Sequence, residues 1–203
     1  MARIEVFADI TCPFTHVGLR RLNEARQARG SQPSLRVRGW PLEWINGAPL
    51  GADLLAREVD ALRTQVAPDL FAGFDAAMFP LTSIPAFGLA AAAYLLDDAI
   101  GETVSLALRD ALFEHGEDIS DHDVLAAIGR NAGVEPFDRT EAESALQVDW
   151  EQGKARGVRG SPHFFVGGRS WFCPSLNISH DHERFDIQTG GEKMRDFYAA
   201  AVG

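Results

Sequence analysis

The chain has 203 residues, 46% of them hydrophobic and 24% charged, which suits a soluble globular protein built as one large domain or two interlocked small ones. Its net charge of −10 argues against nucleic-acid or anionic-membrane partners, and no run of about 18 apolar residues offers a membrane span. Two cysteines, Cys12 and Cys173, are too few for a disulfide framework and fit a reducing compartment.

The first nine residues alternate and carry charge, unlike the unbroken apolar stretch of a secretory leader, so a cytoplasmic location is expected. Ile4-Glu5-Val6-Phe7-Ala8 reads as a strand. It ends in Asp9-Ile10-Thr11-Cys12-Pro13, and proline is tolerated at the first position of a helix. Residues 14–29 then place small or apolar side chains at Gly18, Leu22, Ala25 and Ala28, a helical stripe that Gly30 stops. Residues 35–40 read as a second strand, and a right-handed crossover makes the two strands parallel. Pro41, Asn46-Gly47 and Pro49 break the pattern afterwards.

From about residue 51 to residue 152 the apolar clusters recur at helical spacing, at Leu54-Leu55, 89–96 and 104–113. Ser120-Asp121-His122-Asp123 resembles a capping box, with Gly133 closing that helix. Residues 140–156 form a last helix of the block, closed by Gly157. Strands return at His163-Phe164-Phe165-Val166 and Arg169-Ser170-Trp171-Phe172, joined as a hairpin by Gly167-Gly168. Residues 192–201 form a terminal helix. The outline is βαβ, a helical block, then ββα. Each flanking half is too small to bury a core alone, so residues 1–48 and 153–203 are expected to make one domain and 49–152 an inserted helical domain.

A cysteine at a helix start faces unpaired N–H groups and the positive end of the helix dipole, both of which favour thiolate. That makes Cys12 the candidate nucleophile, and Thr15 can turn its hydroxyl toward the sulfur. His16 would help if it faced the sulfur and were protonated; facing outward it is merely polar. The plainer alternative is that Cys12 is a small buried hydrophobe. Pro162, just ahead of a short strand and preceded by Gly160-Ser161, suits a cis peptide whose neighbour Ser161 presents backbone groups to an extended ligand; an ordinary edge-strand proline is the alternative. Pro13, Phe14, His16, Ser161, Pro162 and Cys173 are the expected substrate-facing residues. The string His180-Asp181-His182-Glu183 holds ligand-type residues, but adjacent positions in a polar loop seldom converge on one ion, so no metal site is expected there. His163 is placed near the site, and Trp40, Trp44 and Phe14 are candidates to wall an apolar pocket.

Asp-x-x-Cys-Pro after a strand, a helical insertion, and Gly157-Val158-Arg159-Gly160-Ser161-Pro162-His163-Phe164-Phe165-Val166 together resemble the DsbA-like thioredoxin superfamily over nearly the whole chain. The resemblance extends to residues 108–134, which look like the inserted helical region of that group. Similar members include FrnE-type oxidoreductases, kappa-class glutathione transferases and 2-hydroxychromene-2-carboxylate isomerases. The resemblance implies an α/β thioredoxin-like fold with a large all-helical insertion, and Cys12 beside a cis Pro162.

Two departures shape the expected function. Cys12-Pro13-Phe14-Thr15 lacks the second cysteine of dithiol members, and Thr15 there is similar to the hydroxyl of the isomerases and kappa transferases. The stretch 172–177 replaces the segment with which those enzymes help hold glutathione. The expected function is therefore a thiol-dependent oxidoreductase with one nucleophilic cysteine, with an isomerase or transferase acting on small aromatic compounds as the alternative. No tightly bound cofactor is expected, only a low-molecular-weight thiol cosubstrate. The partners are a small thiol or disulfide, or a small aromatic electrophile, and a homodimer stays open. Cys173, at the end of the returning strand, should lie on the same side as Cys12, as a resolving thiol, a pocket residue or, most simply, a packed cysteine.

Overall fold

The computed structural model describes residues 3–30, 33–134, 136–181 and 184–203. Strand β1 (Ile4–Ala8) crosses through helix α1 (Pro13–Ala28) to the parallel strand β2 (Leu35–Gly39), with Val6 opposite Val37. The chain then runs through α2 (Leu42–Asn46), α3 (Ala52–Gln65), a short 3-10 turn (Ala76–Met78), α4 (Ile84–Leu96), α5 (Asp98–Glu114), α6 (His122–Ala132) and α7 (Arg139–Ala155). Strand β3 (His163–Val166) returns antiparallel beside β1, and β4 (Arg169–Phe172) lies antiparallel beside β3. Among the described residues the sheet order is β2-β1-β3-β4, and α8 (Gly191–Val202) ends the chain.

Strand alternation sorts the side chains onto two faces. Val6 and Phe164, directly paired across β1 and β3, share a core with Leu19 and Leu22 of α1 and Phe197 of α8. On the opposite face Phe7 meets Trp40 and Phe165 edge-on, with ring centroids 6.2 and 5.7 Å apart. Helix α7 closes down on that face at Gly153, where a Cβ would stand 2.3 Å from the Trp40 ring. Polar pins fix the helices to the outer strand. The Tyr94 hydroxyl accepts the Val37 N–H at 2.8 Å, and Asp149 takes both the Arg38 guanidinium (2.6 Å) and the Gly39 N–H (3.0 Å). A second core, with Val59, Phe71, Phe87, Leu108 and Phe113, fills the helical block and continues into Ile10, Val17 and Cys173. The helices therefore bear directly on the end of the sheet where Cys12 sits.

Three local expectations are corrected. Residues 176–189 are not plain connection: β5 (Leu176–His180) and β6 (Phe185–Thr189) form a separate antiparallel hairpin. It docks on α3 through Gln65, whose amide donates to the Phe185 carbonyl (2.9 Å) while its carbonyl accepts the Ile187 N–H (2.7 Å). The cap of α6 is Asp121 rather than Ser120. Asp121 accepts the Asp123 N–H at 2.7 Å, and the Ser120 hydroxyl is drawn instead to Asp118 at 2.6 Å. His180 belongs to β5, while His182 and Glu183 lie outside the described residues; among the described residues no group of three or more His, Cys, Asp or Glu side chains is arranged to hold a metal ion. No helix of the described residues is long and apolar enough to cross a membrane.

Candidate active site

Cys12 is the N-cap of α1, in an extended conformation (φ −80°, ψ 114°), with Pro13 as the first helical residue. The His16 N–H closes the first helical turn on the Cys12 carbonyl at 3.2 Å. The approach to the helix is shaped by Asp9, only 1% exposed. One carboxylate oxygen accepts the Thr11 N–H (2.6 Å) and hydroxyl (2.7 Å), and the other accepts the Leu42 N–H (2.6 Å). A buried carboxylate so placed fixes the turn before Cys12 and the start of α2 together. Burial raises the Asp9 carboxyl above its usual range, against the pull of these donors and of Arg109. Arg109 of α5, 1% exposed, gives one nitrogen to the Asp9 carbonyl (3.1 Å) and another to the carbonyl and hydroxyl of Ser105 (both 2.7 Å).

The second half of the site arrives from the other end of the chain. The Ser161–Pro162 peptide bond is cis. The Cys12 thiol donates to the Ser161 carbonyl, with sulfur and oxygen 3.4 Å apart. The Ser161 hydroxyl accepts the Asp9 N–H (2.8 Å) and meets the Thr15 hydroxyl at 2.7 Å. Thr15 is completely buried against the sulfur. The Pro162 ring lies over α1 at Gly18.

The acidity expected of a helix-start cysteine is overturned by burial. Cys12 is 3% exposed, and desolvation pushes its thiol up to about 11. The Thr15 hydroxyl and N–H and the Ser161 side chain pull the other way without overcoming it, and the negative charge of Glu58 on α3 adds to the rise. A hydrogen bond donated by the neutral thiol to a carbonyl favours the same protonated form. At neutral pH the resting site therefore holds a thiol.

His16 faces neither the sulfur nor solvent. Its Nε2 lies 2.6 Å from a Glu114 oxygen, and its ring packs against Phe71 and Phe113, which also touch each other edge-on. Burial would raise Glu114, but His16 and the N–H groups of Phe71 and Ala72 hold it down at about 2. His16 itself is lowered by burial, with Glu114 opposing. The consistent state is an ionised Glu114 accepting from a neutral His16, which ties α1 to α5 and to the loop at residues 71–72.

His163 follows Pro162 but turns onto the opposite sheet face, stacked on Phe165 at 4.7 Å. Its Nδ1 accepts the Arg159 N–H at 3.2 Å, and burial, with Arg159 and Arg156, lowers it to about 4. Trp40 and Trp44 both pack on Trp150 of α7, at 4.4 and 5.4 Å, and Phe14 packs toward the helical core. Cys173 is 6% exposed, and its N–H donates to the Pro162 carbonyl at 2.9 Å. Among the described residues both cysteines are free thiols. Sequence reasoning missed Arg109, Glu114 and Glu58. Arg109 carried a signal, an arginine within the apolar run 104–113; the other two sit on helices with no motif around them.

A family model described as the DSBA-like thioredoxin domain matches residues 3–177. No curated protein matches the sequence. Among solved structures, a candidate protein disulfide isomerase from Nitrosomonas europaea aligns over 100% of this chain and 99% of its own, with a TM-score of 0.64 and 15% identity. A 2-hydroxychromene-2-carboxylate isomerase aligns over 83% of this chain and 87% of its own (TM-score 0.60, 17% identity). A candidate DsbA oxidoreductase from Streptomyces coelicolor aligns over 84% and 83% (TM-score 0.58, 17% identity). At these identities the likeness concerns the fold.

Proposed function

Because the chain belongs to the DSBA-like thioredoxin domain family, we propose that it is a thiol-dependent oxidoreductase in which Cys12 attacks a disulfide or another small electrophile. The observation that carries this reading is the Cys12 sulfur at the start of α1, 3.4 Å from the Ser161 carbonyl and walled by the Thr15 hydroxyl. A substrate whose backbone or amide pairs with Ser161 competes for that carbonyl and frees the thiol. Once the proton leaves, the helix N-terminus and the Thr15 hydroxyl stabilise the thiolate. The thiolate attacks one substrate sulfur, and the departing thiolate takes up the proton. Thr15 stands where dithiol members carry their second cysteine, so the mixed disulfide needs another thiol to resolve it, from a low-molecular-weight cosubstrate or from elsewhere in the chain.

The buried Thr15 hydroxyl also favours a second reading. In an isomerase or transferase acting on a small aromatic compound, that hydroxyl would activate the thiolate of a bound cosubstrate. Alkylation of Cys12 followed across pH, together with turnover of Cys12→Ser, separates the two. The oxidoreductase reading expects Cys12 to be modified, the rate to climb with pH toward about 11, and Cys12→Ser to lose disulfide turnover. Full turnover of an aromatic substrate by Cys12→Ser would replace it with the isomerase.

A further inference from the structure

The two cysteines, 161 positions apart in the sequence, hang from consecutive carbonyls. The Cys12 thiol donates to the Ser161 oxygen at 3.4 Å, and the Cys173 N–H donates to the Pro162 oxygen at 2.9 Å. Cys173 follows directly on β4 and begins the loop to β5, so it lies across β3 from the strand that delivers Cys12. It belongs to the same buried cluster as Ile10 and Val17, which flank Cys12 on the turn and on α1. Its backbone is left-handed, with φ +43°, a conformation uncommon for a residue other than glycine. Leu176 holds it from behind, its N–H meeting the Cys173 carbonyl at 3.4 Å. Burial pushes the Cys173 thiol up to about 12, and a thiolate at Cys12 would raise it further.

Resting on the reading of Cys12 as a nucleophile, we propose that Cys173 is its resolving thiol, so that the chain cycles between a dithiol and a Cys12–Cys173 disulfide. Cys12 thiolate attacks a substrate disulfide R–S–S–R′, forming Cys12–S–S–R and releasing R′–S⁻, which takes the proton that Cys12 lost. Cys173, as thiolate, then attacks the Cys12 sulfur. The Cys12–Cys173 bond forms, the bond to R breaks, and R–S⁻ takes the proton from Cys173. The protein loses two electrons and the substrate becomes two thiols. Two equivalents of an external thiol reverse the cycle. A disulfide requires the two Cα atoms within about 7 Å, so closing this one calls on the Cys173 backbone anchored to the Pro162 carbonyl to yield, which the mass measurement tests directly.

The test is native full-length protein treated with one equivalent of bis(2-hydroxyethyl) disulfide, quenched in acid and weighed intact. The wild type is expected to become lighter by two hydrogens, with the peptides around residues 12 and 173 crosslinked. Cys173→Ser and Cys173→Ala are expected to keep a 2-hydroxyethylthio adduct on Cys12. A wild type that retains that adduct on Cys12 overturns the resolving role and leaves the nucleophile standing. A wild type in which neither cysteine reacts overturns both. The wild-type measurement decides even if the variants fail to fold.

Discussion

Thr15 Oγ1 lies 2.7 Å from Ser161 Oγ, two hydroxyls 146 positions apart that share one hydrogen bond beside the Cys12 sulfur. Ser161 Oγ already accepts the Asp9 N–H at 2.8 Å, so its own hydrogen is free to point at Thr15, and the Thr15 hydrogen at the sulfur. The chain of donors thus ends on the atom that must become negative. Thr15→Val keeps the shape and removes one of the donors to the sulfur. The expected result is a Cys12 titration midpoint at higher pH, with alkylation at a fixed pH slowed about tenfold for every pH unit that the midpoint rises. An unchanged titration would remove Thr15 from the mechanism. Ser161→Ala should slow alkylation too, and should also cost about 1–3 kcal/mol because the Asp9 N–H is left buried without a partner. Urea unfolding measures that second effect separately.

His16 holds the fold near the site without touching the sulfur. Glu114 accepts from His16 (2.6 Å), Phe71 (3.0 Å) and Ala72 (3.1 Å). Glu114→Ala strips three donors of their acceptor at once and is expected to destabilise the protein by about 3 kcal/mol. His16→Asn should lower stability as well, while leaving the pH midpoint of Cys12 alkylation where it was. A midpoint that moved with His16→Asn but not with Glu114→Ala would show direct contact between the imidazole and the thiol.

Much of this architecture was legible because the local signals agreed. The alternation of residues 4–8, a proline just inside α1 and Gly167-Gly168 between β3 and β4 each point to one structure. The hairpin of β5 and β6 was not legible, since among its described residues only Leu176 and Ile187 are buried and its strands read as polar loop. The state of Cys12 was hidden for a different reason. A sequence shows the helix start, which favours thiolate, but not the helical block that seals it from water. His16 is similar: its orientation is set by Glu114, 98 positions away, which no spacing near Cys12 reveals.

Gly153 measures how tightly the helical block sits on the sheet. A Cβ there would stand 2.3 Å from Trp40 Cζ3 and 3.1 Å from Phe7 Cδ1, both in a ring cluster with little room to yield. Gly153→Ala lies in the last turn of α7, where alanine is still intrinsically better than glycine, by at most about 1 kcal/mol. The clash is expected to win, with a net loss of about 1–3 kcal/mol as in other overpacked cores. Thermal unfolding of the variant tests this; a raised melting temperature would mean that α7 can lift off the sheet at no cost.

A half-buried carboxyl and a buried imidazole set opposing slopes in the pH dependence of stability. Burial raises the Glu58 carboxyl from 4.5 to about 7, with Arg57 opposing, so the folded state holds a proton that the unfolded chain has released. Its contribution makes stability fall as pH rises from about 4.5 to about 7. His163 is lowered from 6.5 to about 4, mainly by burial, so the unfolded chain binds its proton first. Its contribution makes stability fall as pH drops from about 6.5 to about 4. In the wild type the two offset each other across that window. Glu58→Gln removes the first and should steepen the loss of stability on acidification; His163→Gln removes the second and should flatten it or reverse its sign. Urea midpoints measured at several pH values between 4 and 7 decide the matter, and parallel curves for all three proteins would refute the assignment. The same Glu58→Gln protein should alkylate faster at Cys12 above pH 7, because the carboxylate that opposes the thiolate is gone.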